Sequence, residues 1–225
     1  LQPDRPPVSE KIGNGLTVSA RELMIPARAR EAMLRGLSLA NEKSNYRGSL
    51  TEFQRALREY PEFYEAYLQM GLAYLKLGDT AQYEEMVLKS IDVSHRKYLD
   101  ALLTLASGYS NQKRFAEAES LARDAVKINS NSWDAQMELA RALYGIDQID
   151  EAETSALEAQ RIRPDDAPLH LLLANIHLKL SNYPALVADL DKYLELSPDG
   201  PAADQARQMR EQVLERMANA ETSAQ

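Results

Sequence analysis

Five times along the 225 residues a helix-pair pattern returns at an almost constant step. The residue placed to open each second helix recurs as Ser49, Tyr83, Ala118, Ala152 and Leu186, which stand 34, 35, 34 and 34 residues apart. A step of this length marks a stacked array, in which each unit is one supersecondary motif that cannot bury its apolar face alone. In the second unit Tyr67, Met70, Gly71 and Tyr74 are spaced i, i+3, i+4, i+7 and so form one stripe of a helix. Small residues, Gly71, Ala106, Ala140 and Ala174, hold the middle of that stripe, where two helices must approach closely to pack as an antiparallel pair. Stacking on the next pair completes the core, so stability comes from neighbour interfaces and the end units need caps.

The residues at this period resemble the tetratricopeptide repeat, whose pattern runs aromatic, Leu-Gly, Tyr, then Ala, an aromatic and a closing Pro. The second unit carries Tyr67, Met70, Gly71 and Tyr74, with Leu77-Gly78-Asp79 as its turn and Tyr83 where Ala is expected. The third supplies Leu102, Leu105, Ala106 and Tyr109, then Phe115, Ala118, Ala122 and Ala125. The fourth supplies Leu139, Ala140 and Leu143, then Ala152, Ala156 and Ala159; the fifth is more divergent, with His170, Leu173, Ala174 and His177, then Tyr183, Leu186, Leu190 and Tyr193. The first reads Gly36 and Leu39, then Tyr46, Ser49, Phe53 and Ala56, with one extra residue in its turn. Unit ends fall at Pro61, His95, Ser130, Pro164 and Pro198. The resemblance, bacterial in style, implies an all-α, right-handed superhelical solenoid of five antiparallel helix pairs plus a C-terminal capping helix. The expected organisation is an extended linker or tail over 1–25, repeats over 26–200 (about 27–61, 62–95, 96–130, 131–164 and 165–198), and a cap with a frayed tail over 201–225.

Composition narrows the function. Hydrophobic residues make up 44% of the chain, enough for a continuous core. With no cysteine, disulfide frameworks, thiolate metal sites and cysteine nucleophiles are excluded. Nothing approaches the roughly 18 consecutive apolar residues of a transmembrane segment. The net charge of −8 is uneven: residues 1–60 carry +3 and the remainder −11. Nucleic-acid binding is driven by a basic surface that neutralises phosphates, so an acidic array is not expected to bind it. Arg28, Arg30 and Arg35 read as a solvated helical face.

The two ends differ from the middle. Pro3, Pro6, Pro7 and Gly13-Asn14-Gly15 are poor helix material, and Leu16-Thr17-Val18 is a short strand-like run. The chain begins with Leu, as expected of a fragment or a processed form, and this slightly favours a periplasmic or exported home. After Pro198, Ala206, Met209, Val213 and Met217 make one apolar edge flanked by Arg207, Arg210, Glu211, Glu215 and Arg216, which suits a helix capping the last repeat or, alternatively, mediating dimerisation.

No phosphate loop, HExxH helix or GxSxG elbow occurs, so neither catalysis nor a metal or other cofactor is expected. His170 and His177 replace aromatic positions of the packing stripe and read as core residues, His95 reads as a turn residue, and Asp165 or Asp166 as the N-cap of the fifth unit.

Function is therefore expected from surfaces. Beside the packing stripe runs a second line on the first helices: Leu68, Leu72 and Leu75 in the second unit, Met33 and Leu37 in the first, Leu103 in the third, Met137 in the fourth, Leu171 and Leu178 in the fifth. The resemblance implies that this line faces a concave, peptide-receiving groove, with Asn111, Arg141, Tyr144, Asn175 and Lys179 as scattered polar contacts and no Lys/Arg/Asn cluster of the kind that clamps a C-terminal carboxylate. The expected partner is another protein or peptide, helical or extended, anchored by a few aliphatic side chains. Two alternatives stay open: neighbouring first helices bury part of the line, or Leu16 to Ile25 of the same or another chain lies in the groove. The rival function is a structural homo-oligomer, such as a homodimer, assembled through the groove or the last helix.

Overall fold

In the computed structural model, which describes residues 11–12, 16–17 and 20–223, helix starts and stops follow from local chemistry repeated at each unit. A two-residue hairpin comes first, β1 (Lys11–Ile12) antiparallel to β2 (Leu16–Thr17). Of the N-terminal expectations, the prolines, Gly13-Asn14-Gly15 and Val18 lie outside the described residues. Twelve α-helices follow among the described residues: α1 (Ala20–Met24), α2 (Ala27–Asn41), α3 (Tyr46–Glu59), α4 (Tyr64–Lys76), α5 (Thr80–Val93), α6 (Leu99–Asn111), α7 (Phe115–Ile128), α8 (Trp133–Gly145), α9 (Ile149–Ile162), α10 (Ala167–Lys179), α11 (Tyr183–Leu196) and α12 (Ala203–Ser223). None is long and apolar enough to cross a membrane.

Inside each pair the turn takes one left-handed residue two places before the second helix: Ser44 (φ 49°), Gly78 (82°), Lys113 (62°), Asp147 (63°) and Ser181 (57°). Only Gly78 adopts this conformation without a steric penalty. The next residue caps in three of the five: Asn45 Oδ1 accepts from Gly48 N at 2.9 Å, Asp79 from Gln82 N at 3.0 Å and Asn182 from Ala185 N at 3.4 Å. Asp166, not Asp165, caps α10, accepting from Leu169 N at 2.9 Å; Asp165 pairs instead with Lys192.

Between pairs, Tyr60 and Arg163 are extended (φ −146° and −137°) immediately before Pro61 and Pro164, and Ser197 before Pro198 likewise leaves the helical region (φ −145°, ψ 67°), since the proline ring disfavours a helical predecessor. Asn129 before Ser130 has the same shape. The turn after α5 is different: His95 and Arg96 are both left-handed, φ 52° and 59°. A proline, locked near −65°, cannot take that conformation, which is why His95 stands where the repeat pattern expects one.

The chain divides into two compact units after Ala101. In the first, α2 packs on α3 and α4 on α5, with α4 also against α3 and α2. Phe53, Ala56, Phe63, Ala66 and Met70 form its core. A methyl group on Gly71 would lie 2.7 Å from Val87 Cγ2 and 3.2 Å from the Tyr83 carbonyl oxygen, so the stripe position admits no side chain opposite Tyr83. In the second unit each of α7 to α12 packs on the next, and α8 touches α10. Ala203, Ala206 and Val213 of α12 are buried, with Met209 and Met217 beside them, against Leu186, Leu190 and Tyr193. The last helix thus covers the apolar face of α11. It is helical through Ser223.

Candidate functional site

The first helices present different surfaces in the two units. In the first unit Leu37 and Leu72 are half-buried and Leu75 is exposed. Met33 and Leu68 correct the expectation: at 9% and 4% exposure they are core residues. Met33 shares a cluster with Ile25, Phe63 and Met70, because the segment leading into α2 folds over it. Leu68 is covered because α4 packs on three helices and buries more than one stripe. Leu72 lines a cleft of about 330 Å³ together with Asn41, Ser44, Tyr46 and Lys76.

In the second unit Leu103, Met137, Arg141, Tyr144, Leu171 and Asn175 are half-buried, whereas Asn111, Leu178 and Lys179 are exposed. Asn175 turns inward to its own helix, donating from Nδ2 to the Leu171 carbonyl at 2.8 Å. Asn111, Arg141, Tyr144 and Lys179, expected to be scattered, instead border one cleft of about 530 Å³. Arg141 donates to Asn111 Oδ1 and, at 3.5 Å, to Glu138; Lys179 donates to Asp147 at 2.9 Å. That hydrogen bond, reinforced by charge attraction, holds the Lys179 ammonium above its usual pKa. Arg141 and Lys179 are thus engaged by acceptors of the same unit, and the cleft lies beside the carbonyl-bearing C-terminal ends of α6 and α8, which favour positive charge.

Ser110, Lys113, Phe115, Gly145 and Asp147 complete this cleft; of these the sequence reading named only Phe115, and as a repeat position, not as a lining residue. A methyl group on Gly145 would sit 2.2 Å from the Phe115 ring, so the glycine seats the aromatic that opens α7. The signal was the fixed position of the turn, which sets Lys113 and Asp147 in the same left-handed place of successive units.

At the first unit's other end Arg21 forms a paired contact with Glu65, Nη1 to Oε1 at 2.6 Å and Nη2 to Oε2 at 2.7 Å, and lies 3.7 Å from the Tyr64 ring centroid. Burial works against the Arg21 charge, yet the hydrogen bonds and attraction of Glu65 outweigh it and raise its pKa.

The two histidines of α10 are buried and structural. His170 Nε2 donates to the Pro164 carbonyl at 2.8 Å, and its Nδ1 meets Asp189 Oδ1 at 2.9 Å. His177 Nδ1 meets Asp189 Oδ2 at 2.7 Å, and its Nε2 meets Glu153 at 3.2 Å. The four contacts engage both nitrogens of each ring and knit α9, α10 and α11 together. Among the described residues no group of three or more His, Cys, Asp or Glu is arranged to hold a metal ion.

A model of the tetratricopeptide repeat matches residues 109–176, and a second model with the same description matches residues 38–82. The human protein O-mannosyl-transferase TMTC1 is 26% identical over 155 residues, covering 66% of this chain. The chain spans only 17% of that relative's length. Among solved structures, MamA from Desulfovibrio magneticus RS-1 is 16% identical with a TM-score of 0.68, covering 79% of this chain and 99% of that one. YrrB, described as a TPR protein with an unusual peptide-binding site, is 18% identical with a TM-score of 0.69, covering 80% and 92%. At these identities the likeness to both structures is one of fold.

Proposed function

The chain belongs to the tetratricopeptide repeat family, and from that premise we propose that it is a non-enzymatic interaction scaffold whose first helices receive a peptide or segment of a partner protein. The observation that carries this reading is the incomplete burial of aliphatic residues on the first helices of each unit: Leu37, Leu72 and Leu75 in the first, and Leu103, Met137, Leu171 and Leu178 in the second, all keep contact with solvent. Contiguous apolar surface left open to solvent is what a partner's aliphatic side chains would cover. Asn111, Tyr144, Arg141 and Lys179 beside the second unit's line supply polar contacts that orient a bound chain. The peptide site of YrrB gives the same fold a precedent for this use.

The test is affinity capture with the full chain and with Leu72→Glu and Leu178→Glu. Loss of the captured protein from either variant, at unchanged helical circular dichroism, supports the reading; retention in both refutes it. Light scattering in parallel separates the rival: a mass that rises with concentration and reverts in Leu214→Glu, on the exposed side of α12, would move the reading to self-assembly.

A further inference from the structure

The first unit already holds a ligand-like segment against its first helices. Arg21 grips Glu65 with two parallel hydrogen bonds and stacks on Tyr64, whose ring in turn lies 4.8 Å from that of Tyr98. Four residues on, Ile25 is buried to 6% exposure in the cluster that contains Met33 and Phe63. Leu23 and Met24 between them are 60% and 74% exposed, so among the described side chains of this segment Arg21 and Ile25 are the anchors. A carboxylate presenting both oxygens beside an aromatic face is the geometry that distinguishes a planar guanidinium from an ammonium. The neighbouring apolar pocket takes one aliphatic side chain. With five residues α1 is too short to hold its shape without this docking.

The anchors do not fill the site. A cleft of about 500 Å³ remains beside them, bordered by Arg30, Met33, Leu34, Phe63, Tyr64 and Glu65. Leu34 is 65% exposed on its edge.

We propose that Met33, Phe63, Tyr64 and Glu65 form a binding site for a partner segment carrying an arginine and an aliphatic residue four positions later, and that Arg21–Ile25 is the chain's own displaceable occupant. The proposal rests on the scaffold reading and names the ligand chemistry at one end of it. Tethering gives the internal segment a high effective concentration, so an external segment binds the wild-type chain weakly and an unlatched chain strongly.

The probe is a fluorescent peptide of residues 16–26 of this sequence, titrated by anisotropy into full-length protein. Arg21→Ala/Ile25→Ser should bind it at least tenfold more tightly than wild type. Adding Glu65→Ala to that variant, or replacing the peptide's arginine by lysine, should remove most of the gain. Equal affinity in latched and unlatched chains, or indifference to Glu65, overturns the proposal. Should the unlatched chain lose its circular dichroism, the charge-swapped chain Arg21→Glu/Glu65→Arg decides, because it keeps the pair. Latched like the wild type, it should bind weakly but prefer a peptide with glutamate in place of the arginine over the original; equal binding or preference for the original refutes the site. A failed peptide assay alongside loss of capture in Leu72→Glu removes this site and leaves the scaffold reading standing. Retained capture with a responsive peptide does the reverse.

Discussion

One residue in every intra-repeat turn must adopt a left-handed backbone, and four of the five that do so carry a Cβ. The conformation costs an L-residue roughly 1 kcal/mol that glycine does not incur. Ser181, exposed and left-handed at φ 57°, is the cleanest place to recover it. Ser181→Gly should raise stability by about 0.5–1 kcal/mol in urea denaturation, net of the flexibility glycine adds to the unfolded chain. Tyrosines carry a second residue-level consequence. Burial, with the Asp100 charge, raises the pKa of Tyr98; burial and the Glu65 charge raise that of Tyr64. A folded-state pKa above the unfolded value of about 10 means stability is intact below that pH and is lost as pH climbs through the folded value. Melting temperature should therefore fall above about pH 10, and Tyr98→Phe should flatten the fall. Of these turn residues the sequence reading placed Gly78, within Leu77-Gly78-Asp79; the others passed unread, since Ser, Lys and Asp announce nothing about φ.

The helices were legible as elements because their apolar stripes have helical spacing, and their ends because capping is local chemistry. What joins them was less legible. His170 and His177 read correctly as core residues, but their partner Asp189 lies on the following helix, and an aspartate on a helix ordinarily faces water. Removing it strands two buried ring nitrogens. Asp189→Ala should cost about 2–4 kcal/mol, and Asp189→Asn, which keeps one acceptor, clearly less. Equal losses, measured by denaturant unfolding, would show that the cost comes from the cavity and not from the network. Met33 and Leu68 illustrate the opposite limit: on a helical wheel they belong to the outward line, and only the packing of a third element over each stripe removes them from it.

At the scale of the molecule, stability in a repeat protein is a sum over neighbouring helices. Phe53 is completely buried in the first unit's core, and Phe53→Ala should lower stability there by about 3–5 kcal/mol. Hydrogen exchange should show that loss in α2 to α5, with amides of α10 and α11 much less affected; uniform loss across all twelve helices would argue for a single cooperative unit. The sequence by itself determined the repeat length, the helical character of each segment and the family, since all of these follow from interactions between residues near in the chain and repeated at a constant step. Tertiary structure decided which aliphatic residues of the first helices stay open, that Asn111, Arg141 and Lys179 meet at one cleft, and that Arg21 finds Glu65. These depend on how elements distant in sequence approach one another, and no periodicity within a helix encodes the side chain that will arrive from another.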